Sequence, residues 1–214
     1  MKYIQKGREP DSLTKWKQKL GKRTPDWKAF PQAIKNQVYE SLLQEQGYIC
    51  GYCGMSIARK QCHIEHFKPK SVYKPLTFEY TNLIASCQGE DEHRPRVPVH
   101  CGHKKQAWFD EELMISPLDP KCADYFKYSG FGEILPTDEL DKQKAANTTI
   151  QKLALSIDKL RKMRRAAIDA VLQATSGLTD AEIQLLAQGY EKPDVDGRNT
   201  PFSAAITYIL KQYF

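Results

Sequence analysis

Four of the six cysteines constrain this chain more than any other feature in it. Cys50 and Cys53 are separated by Gly51 and Tyr52, the spacing that lets two thiolates grip one tetrahedral zinc. A second pair, Cys87 and Cys101, completes a four-thiolate set and predicts a structural Zn²⁺. Thirteen residues, Gln88 to His100, lie inside that second pair. Such a loop is tolerable, because closure entropy grows slowly with length. It leaves open whether His93 or His100 replaces a cysteine as ligand. The alternative is four small buried residues without metal. Cys62 and Cys122 fall outside both pairs and read as core residues, with a reactive thiol as the other reading of Cys62.

A module built on this frame has to be made of short pieces. Tyr48-Ile49 and Cys62 to Phe67 read as strands, with turns at Gly51 and Gly54. Pro69, Pro75, Pro95 and Pro98 argue against long helices before Cys101, and His103 to Phe109 suit a helical turn. Upstream, Pro31 opens a helix whose Ile34, Val38 and Leu42 share one face, with Gly47 as its stop. Before it, residues 1–30 mix Trp16 and Trp27 with lysines; the segment reads as an arm that packs its tryptophans on the body or contacts nucleic acid. Residues 110–136 read as a connection. From Thr137 the chain is helical: Leu153, Ile157, Leu160, Met163, Ile168 and Val171 line one apolar face, Thr179 to Glu182 form a capping box, and Thr200-Pro201 start a last helix. Three regions follow: 1–47, a basic arm and helix; 48–110, the metal module; and 111–214, a connection and helical region.

Composition narrows the partners. Hydrophobic residues make up 41% of the chain, enough for a packed core. A net charge of +6 suits a polyanionic partner or simply a solvated surface. The run Lys159, Arg161, Lys162, Arg164 and Arg165 carries the same two readings. Neither a signal-peptide core nor an apolar run of membrane-spanning length is expected, which points to a cytoplasmic protein with reduced cysteines.

Within the cysteine frame stand His63-Ile64-Glu65-His66-Phe67-Lys68-Pro69-Lys70-Ser71, then Tyr80-Thr81-Asn82-Leu83, then His100-Cys101-Gly102-His103-Lys104-Lys105. An acidic residue before His, an Asn before an apolar residue, and a His followed by Lys, interleaved with two cysteine pairs, resemble the HNH nucleases. The resemblance implies an α+β fold: a small ββα-metal (HNH) core with a four-cysteine zinc knuckle, flanked by N-terminal and C-terminal α-helices. It implies that Glu65 and His103 hold a catalytic divalent metal, Mg²⁺ or Mn²⁺, and that His66 is the general base. Asn82 would orient the His66 loop or ring, and Lys104 or Lys105 would meet a phosphate. Chemistry agrees, since a neutral imidazole can activate water and a cation can offset phosphate charge. Neighbouring strand residues point to opposite faces, however. Glu65 and His66 share a site only if the strand twists or ends there; otherwise His63 joins Glu65 as ligand and His66 faces the core.

More narrowly, Met1-Lys2-Tyr3-Ile4, Lys6-Gly7 and Glu9-Pro10, the His63 to Ser71 stretch and the Cys101-Gly102 end are similar to the HNH nuclease subunit of the Septu anti-phage system, also found with some retrons. That subgroup implies an ABC-type ATPase partner and a nucleic-acid substrate, DNA first. A zinc-stabilised binding module and a stand-alone HNH endonuclease are the rival readings. Phe202, Ile206, Ile209, Leu210 and Tyr213 form a stripe on the last helix that either docks the partner or is covered by the body.

Overall fold

A computed structural model describes residues 1–21, 23, 25–89 and 98–213, the last without its side chain. Helix α1 (Asp11–Leu20) leads through a single turn at Trp27–Ala29 to α2 (Gln32–Glu45), which starts directly after Pro31. Val38, Tyr39, Leu42 and Leu43 are buried along α2. Gly47 follows in the left-handed region at φ 58°, which a glycine adopts without strain. The arm packs rather than extends: the Trp16 and Trp27 rings both lie against Phe30 and Phe78.

The chain then makes the knuckle. Ile49 bridges Ser56, Cys50 N–H donates to the Met55 carbonyl, and Gly54 turns the backbone at φ 77°. Strand β1 (Cys62–His66) pairs antiparallel with β2 (Leu83–Cys87), matching Cys62 to Cys87 and His66 to Leu83. A short helix, α3 (Cys101–Lys105), packs on β2. It begins at Cys101, earlier than the expected turn, and ends where Gln106 takes φ 50°.

The connecting region contains a second antiparallel pair that the sequence reading lacked, β3 (Phe126–Tyr128) with β4 (Ile134–Pro136). Helices α4 (Leu140–Lys152), α5 (Asp158–Ala174), α6 (Asp180–Glu191) and α7 (Ser203–Leu210) follow. The expected single apolar face is thus split between two helices, at a junction where Ala154 takes φ 50°. The capping box at Thr179 and Glu182 forms as read, with side chain and backbone satisfying each other.

Two surface features that the sequence left open take their plainer reading among the described residues. Phe202, Ile206, Ile209 and Leu210 are all buried, because α7 packs between α5, α6 and β3. Deleting 200–214 would therefore strip the core rather than a docking face. The basic run is not a bare cationic face either. Arg161 and Lys162 pair with Asp158, Arg165 pairs with Asp169, and Arg164 is turned into the core. Among the described residues no helix is long and apolar enough to cross a membrane.

Candidate metal centre and active site

The two cysteine pairs meet. The ligand atoms of Cys50, Cys53, Cys87 and Cys101 all lie within 4.8 Å of one another, and all four residues are buried. None is in a disulfide. Two thiolates on one tetrahedral zinc with bonds of about 2.3 Å stand about 3.8 Å apart, and Cys53 Sγ to Cys87 Sγ is 3.9 Å. The donor set fits zinc. Burial opposes ionisation at Cys50, but hydrogen bonds from Cys101, Cys53 and Cys87 overcome it and drive its thiol well below the usual range. Cys101 is pushed the other way by burial and by Cys50, Cys53 and Cys87.

The frame around the cluster is backbone and amide. Cys87 N–H points at Cys50 Sγ at 3.3 Å, and Gly51 N–H donates to the Ala85 carbonyl. Gln46, fully enclosed at the end of α2, donates to the carbonyls of Ile49 and Ala85 and accepts from Ala85 N–H, pinning knuckle to strand. His100 is buried against the cluster, with Nδ1 3.5 Å from Cys87 Sγ and 3.4 Å from Cys101 Sγ. Four sulfurs already gather without it, so it stands beside the set rather than in it. His93 lies outside the described residues. Cys62 and Cys122 are buried, and burial lifts both thiols to about 11. Neither is primed to react at neutral pH.

The second constellation straddles β1. The strand is regular through His66, so His63 and Glu65 share one face and His66 takes the other. On the first face, His63 Nε2 lies 3.4 Å from Glu65 Oε2, an ion-pair distance without hydrogen-bond alignment. Both His63 nitrogens are buried without a hydrogen-bond partner among the described residues. The His103 ring, from α3, lies tilted against the His63 ring with centroids 4.3 Å apart, while its Nε2 meets Gln88 Oε1 at 3.0 Å. Gly102 lets α3 come this close: a Cβ there would sit 2.6 Å from His63 Nε2 and 2.7 Å from Glu65 Oε2. Burial raises the Glu65 pKa, but His63 and Lys105 more than offset it, so the net shift is downward and the carboxylate stays ionised.

Lys105 does not face solvent. Its ammonium is enclosed, donating to Glu65 Oε1 at 2.7 Å, to the His66 carbonyl at 3.0 Å and to the Gln106 carbonyl at 3.4 Å. A lysine whose protons are already spent on buried acceptors has none to offer a ligand. Lys104, one residue earlier, is exposed.

On the opposite face His66 is 5% exposed. Its Nε2 is 3.0 Å from the Thr77 carbonyl. A carbonyl only accepts, so Nε2 carries the proton and Nδ1 keeps the lone pair. Burial, then the Lys70 charge, draws the imidazole down to about 4, leaving it neutral at pH 7. The Trp27 ring lies against it at 4.5 Å. Asn82 clasps the loop after the strand: Oδ1 accepts from Lys68 N–H, and Nδ2 donates to the carbonyls of Lys68 and Leu76. Thr77, Gln88 and Gln46 went unmarked in the sequence, since no motif or spacing sets them apart, and Trp27 was read only as part of the arm.

No family model matches the chain. It is 31% identical over 146 residues to a Vibrio cholerae (serotype O1 biovar El Tor) protein named "Retron Vc95 putative HNH endonuclease", a match spanning 66% of this chain and 68% of that one. Likeness of this extent, on a chain whose cysteines gather into one buried cluster, places the protein in the family of HNH endonucleases to which that retron protein belongs.

Proposed function

We propose that the protein is a metal-dependent HNH endonuclease that hydrolyses phosphodiester bonds, acting in the cytoplasm as the nuclease subunit of a Septu-like anti-phage complex with an ABC-type ATPase. What supports the nuclease reading is an anchored carboxylate, Glu65, gathered with His63 and His103 on one face of β1, and a neutral imidazole, His66, at the last residue of that strand. A binding module needs neither. The order β1, β2, α3 supports reading the module as a ββα-metal core.

Glu65 and His103 would hold the catalytic divalent ion, with His63 beside them; the His63 nitrogens, which lack a hydrogen bond among the described residues, and the absence of a side chain at Gly102 suit a cation there. Such an ion offsets charge on the phosphate and the leaving oxygen. His66 Nδ1 accepts a proton from the attacking water while Thr77 holds the tautomer. Asn82 keeps the loop from Lys68 to Leu76 in place. Lys104 is the lysine left to meet a phosphate.

With Mg²⁺ or Mn²⁺ and the ATPase subunit present, the protein is expected to cut DNA. Glu65→Ala and His103→Ala are each expected to abolish cutting and to weaken Mn²⁺ binding in calorimetry, with zinc content unchanged. DNA that is bound but never cut under these conditions would hand the case to the binding module. Native mass spectrometry of the co-expressed pair tests the partner; cutting with no associated ATPase favours the stand-alone enzyme.

A further inference from the structure

The surface beside His66 is basic and aromatic at once. Residues 27–35 and 67–76 together hold five lysines, Lys28, Lys35, Lys68, Lys70 and Lys74, and no acidic residue. Among the described residues Lys68 alone of the five forms an ion pair, with Glu111 at 2.7 Å. The Glu111 side chain is 70% exposed, and ion pairs so open to water hold little. The charge of this surface is therefore free for a polyanion.

Three of these lysines are set against rings. Lys35 Nζ and Lys70 Nζ stand 5.4 Å and 5.9 Å from the centre of the Trp27 ring. Lys68 Nζ stands 5.3 Å from the Tyr73 ring centre and 5.1 Å from that of Phe109, and those two rings meet edge to face. Trp27, Tyr73 and Phe109 are each half-buried, so part of each ring meets solvent. Both clusters are built on the loop that follows His66, which Asn82 clasps, and Trp27 lies against His66 itself. Solvated lysines alone would serve any polyanion. Rings among them add affinity only for a partner with flat faces to stack, and unpaired bases offer such faces. In a duplex those faces are already stacked on one another. We infer that this surface binds single-stranded nucleic acid, with unpaired bases stacked on Trp27 and Tyr73 and the lysines meeting the phosphates between them. The inference rests on the nuclease reading and names the form of its substrate: a strand held here passes beside His66, so the cut falls in an unpaired stretch.

Binding is followed by fluorescence anisotropy on the full chain, free of chelator and without added Mg²⁺ or Mn²⁺, so that nothing is cut. The probes are a labelled single strand of mixed sequence, as DNA and as RNA, the matching DNA duplex, and poly-glutamate. At least one single strand is expected to bind about tenfold or more tighter than the duplex. Trp27→Leu keeps an apolar group against Phe30 and Phe78 but offers no flat face. It is expected to weaken the single strand about 5- to 150-fold, the worth of one stacked base, and to leave the duplex unchanged. Duplex held as tightly as the single strands, or equal single-strand binding by Trp27→Leu and wild type, overturns the inference. So does poly-glutamate held as tightly as the single strands, which would assign the surface to an acidic protein. If Trp27→Leu cannot be recovered folded, Tyr73→Leu on the second cluster decides: a loss confined to the single strand sustains the inference, and any other result ends it. A chain that fails this test yet cuts duplex DNA keeps the nuclease reading. One that passes it and never cuts with Mn²⁺ and the ATPase present loses that reading alone.

Discussion

Cys50→Ser or Cys53→Ser is expected to lose the zinc and, with it, the folded module. The native protein should carry one zinc per chain by elemental analysis. Structural zinc binding is worth about 10–16 kcal/mol in small modules, comparable to the entire stability of a typical domain. Losing one thiolate also removes the acceptor for Cys87 N–H, or opens the 3.9 Å contact between Cys53 and Cys87. The damage spreads further than the knuckle. Cys101 starts α3, and that helix carries Gly102, His103 and Lys105 to the face of β1. Thermal melts with and without chelator should therefore lose zinc and cooperative unfolding together, and DNA cutting should disappear in the same samples. Soluble, cooperatively folded protein without zinc would show that the cysteine frame has another purpose.

His66→Ala is expected to lower cleavage by about 10²- to 10⁴-fold, the usual cost of losing a general base. Zinc content and nucleic-acid affinity should hardly change, because His66 touches no sulfur and holds no phosphate in this reading. Some stability will go, since the Thr77 carbonyl loses its donor and Trp27 loses a ring to pack on. Comparing rates at a temperature well below both melting points removes that effect. The decisive comparison is with His63→Ala. If His66→Ala cuts normally while His63→Ala is dead, the base belongs on the Glu65 face and the roles move there.

What the sequence made legible was the part set by local spacing and chain order. The Cys50–Cys53 interval, the glycines that turn the chain at 47 and 54, the helix after Pro31 and the capping box at Thr179 are all short-range signals, and each appears where it was read. The choice of strand face was legible only as an alternative, because it depends on whether β1 stays regular at its end. Longer-range facts left no local trace. Lys105 looked like a free lysine next to Lys104, and only the antiparallel register of β1 with β2 brings Glu65 within its reach. Arg164 sat in an ordinary basic run, and only the fold of Gly132 and Leu155 around it turns it inward. The apolar stripe on α7 was seen, but its cover comes from elements far away in the chain.

The close approach of α3 to β1 at Gly102 offers something that ligand substitutions do not: a blocked protein with every functional group retained. An alanine methyl at 102 meets two movable side-chain tips, His63 Nε2 and Glu65 Oε2, rather than backbone. The fold can absorb it by swinging those tips apart, which is the one rearrangement the candidate site cannot absorb. Gly102→Ala is therefore expected to keep zinc and solubility while losing Mn²⁺ binding and cutting. Such a chain would serve in cells as an inert decoy, competing for whatever partner or nucleic acid the active protein engages. A Gly102→Ala protein that binds Mn²⁺ and cuts like the wild type would mean that the cation sits elsewhere.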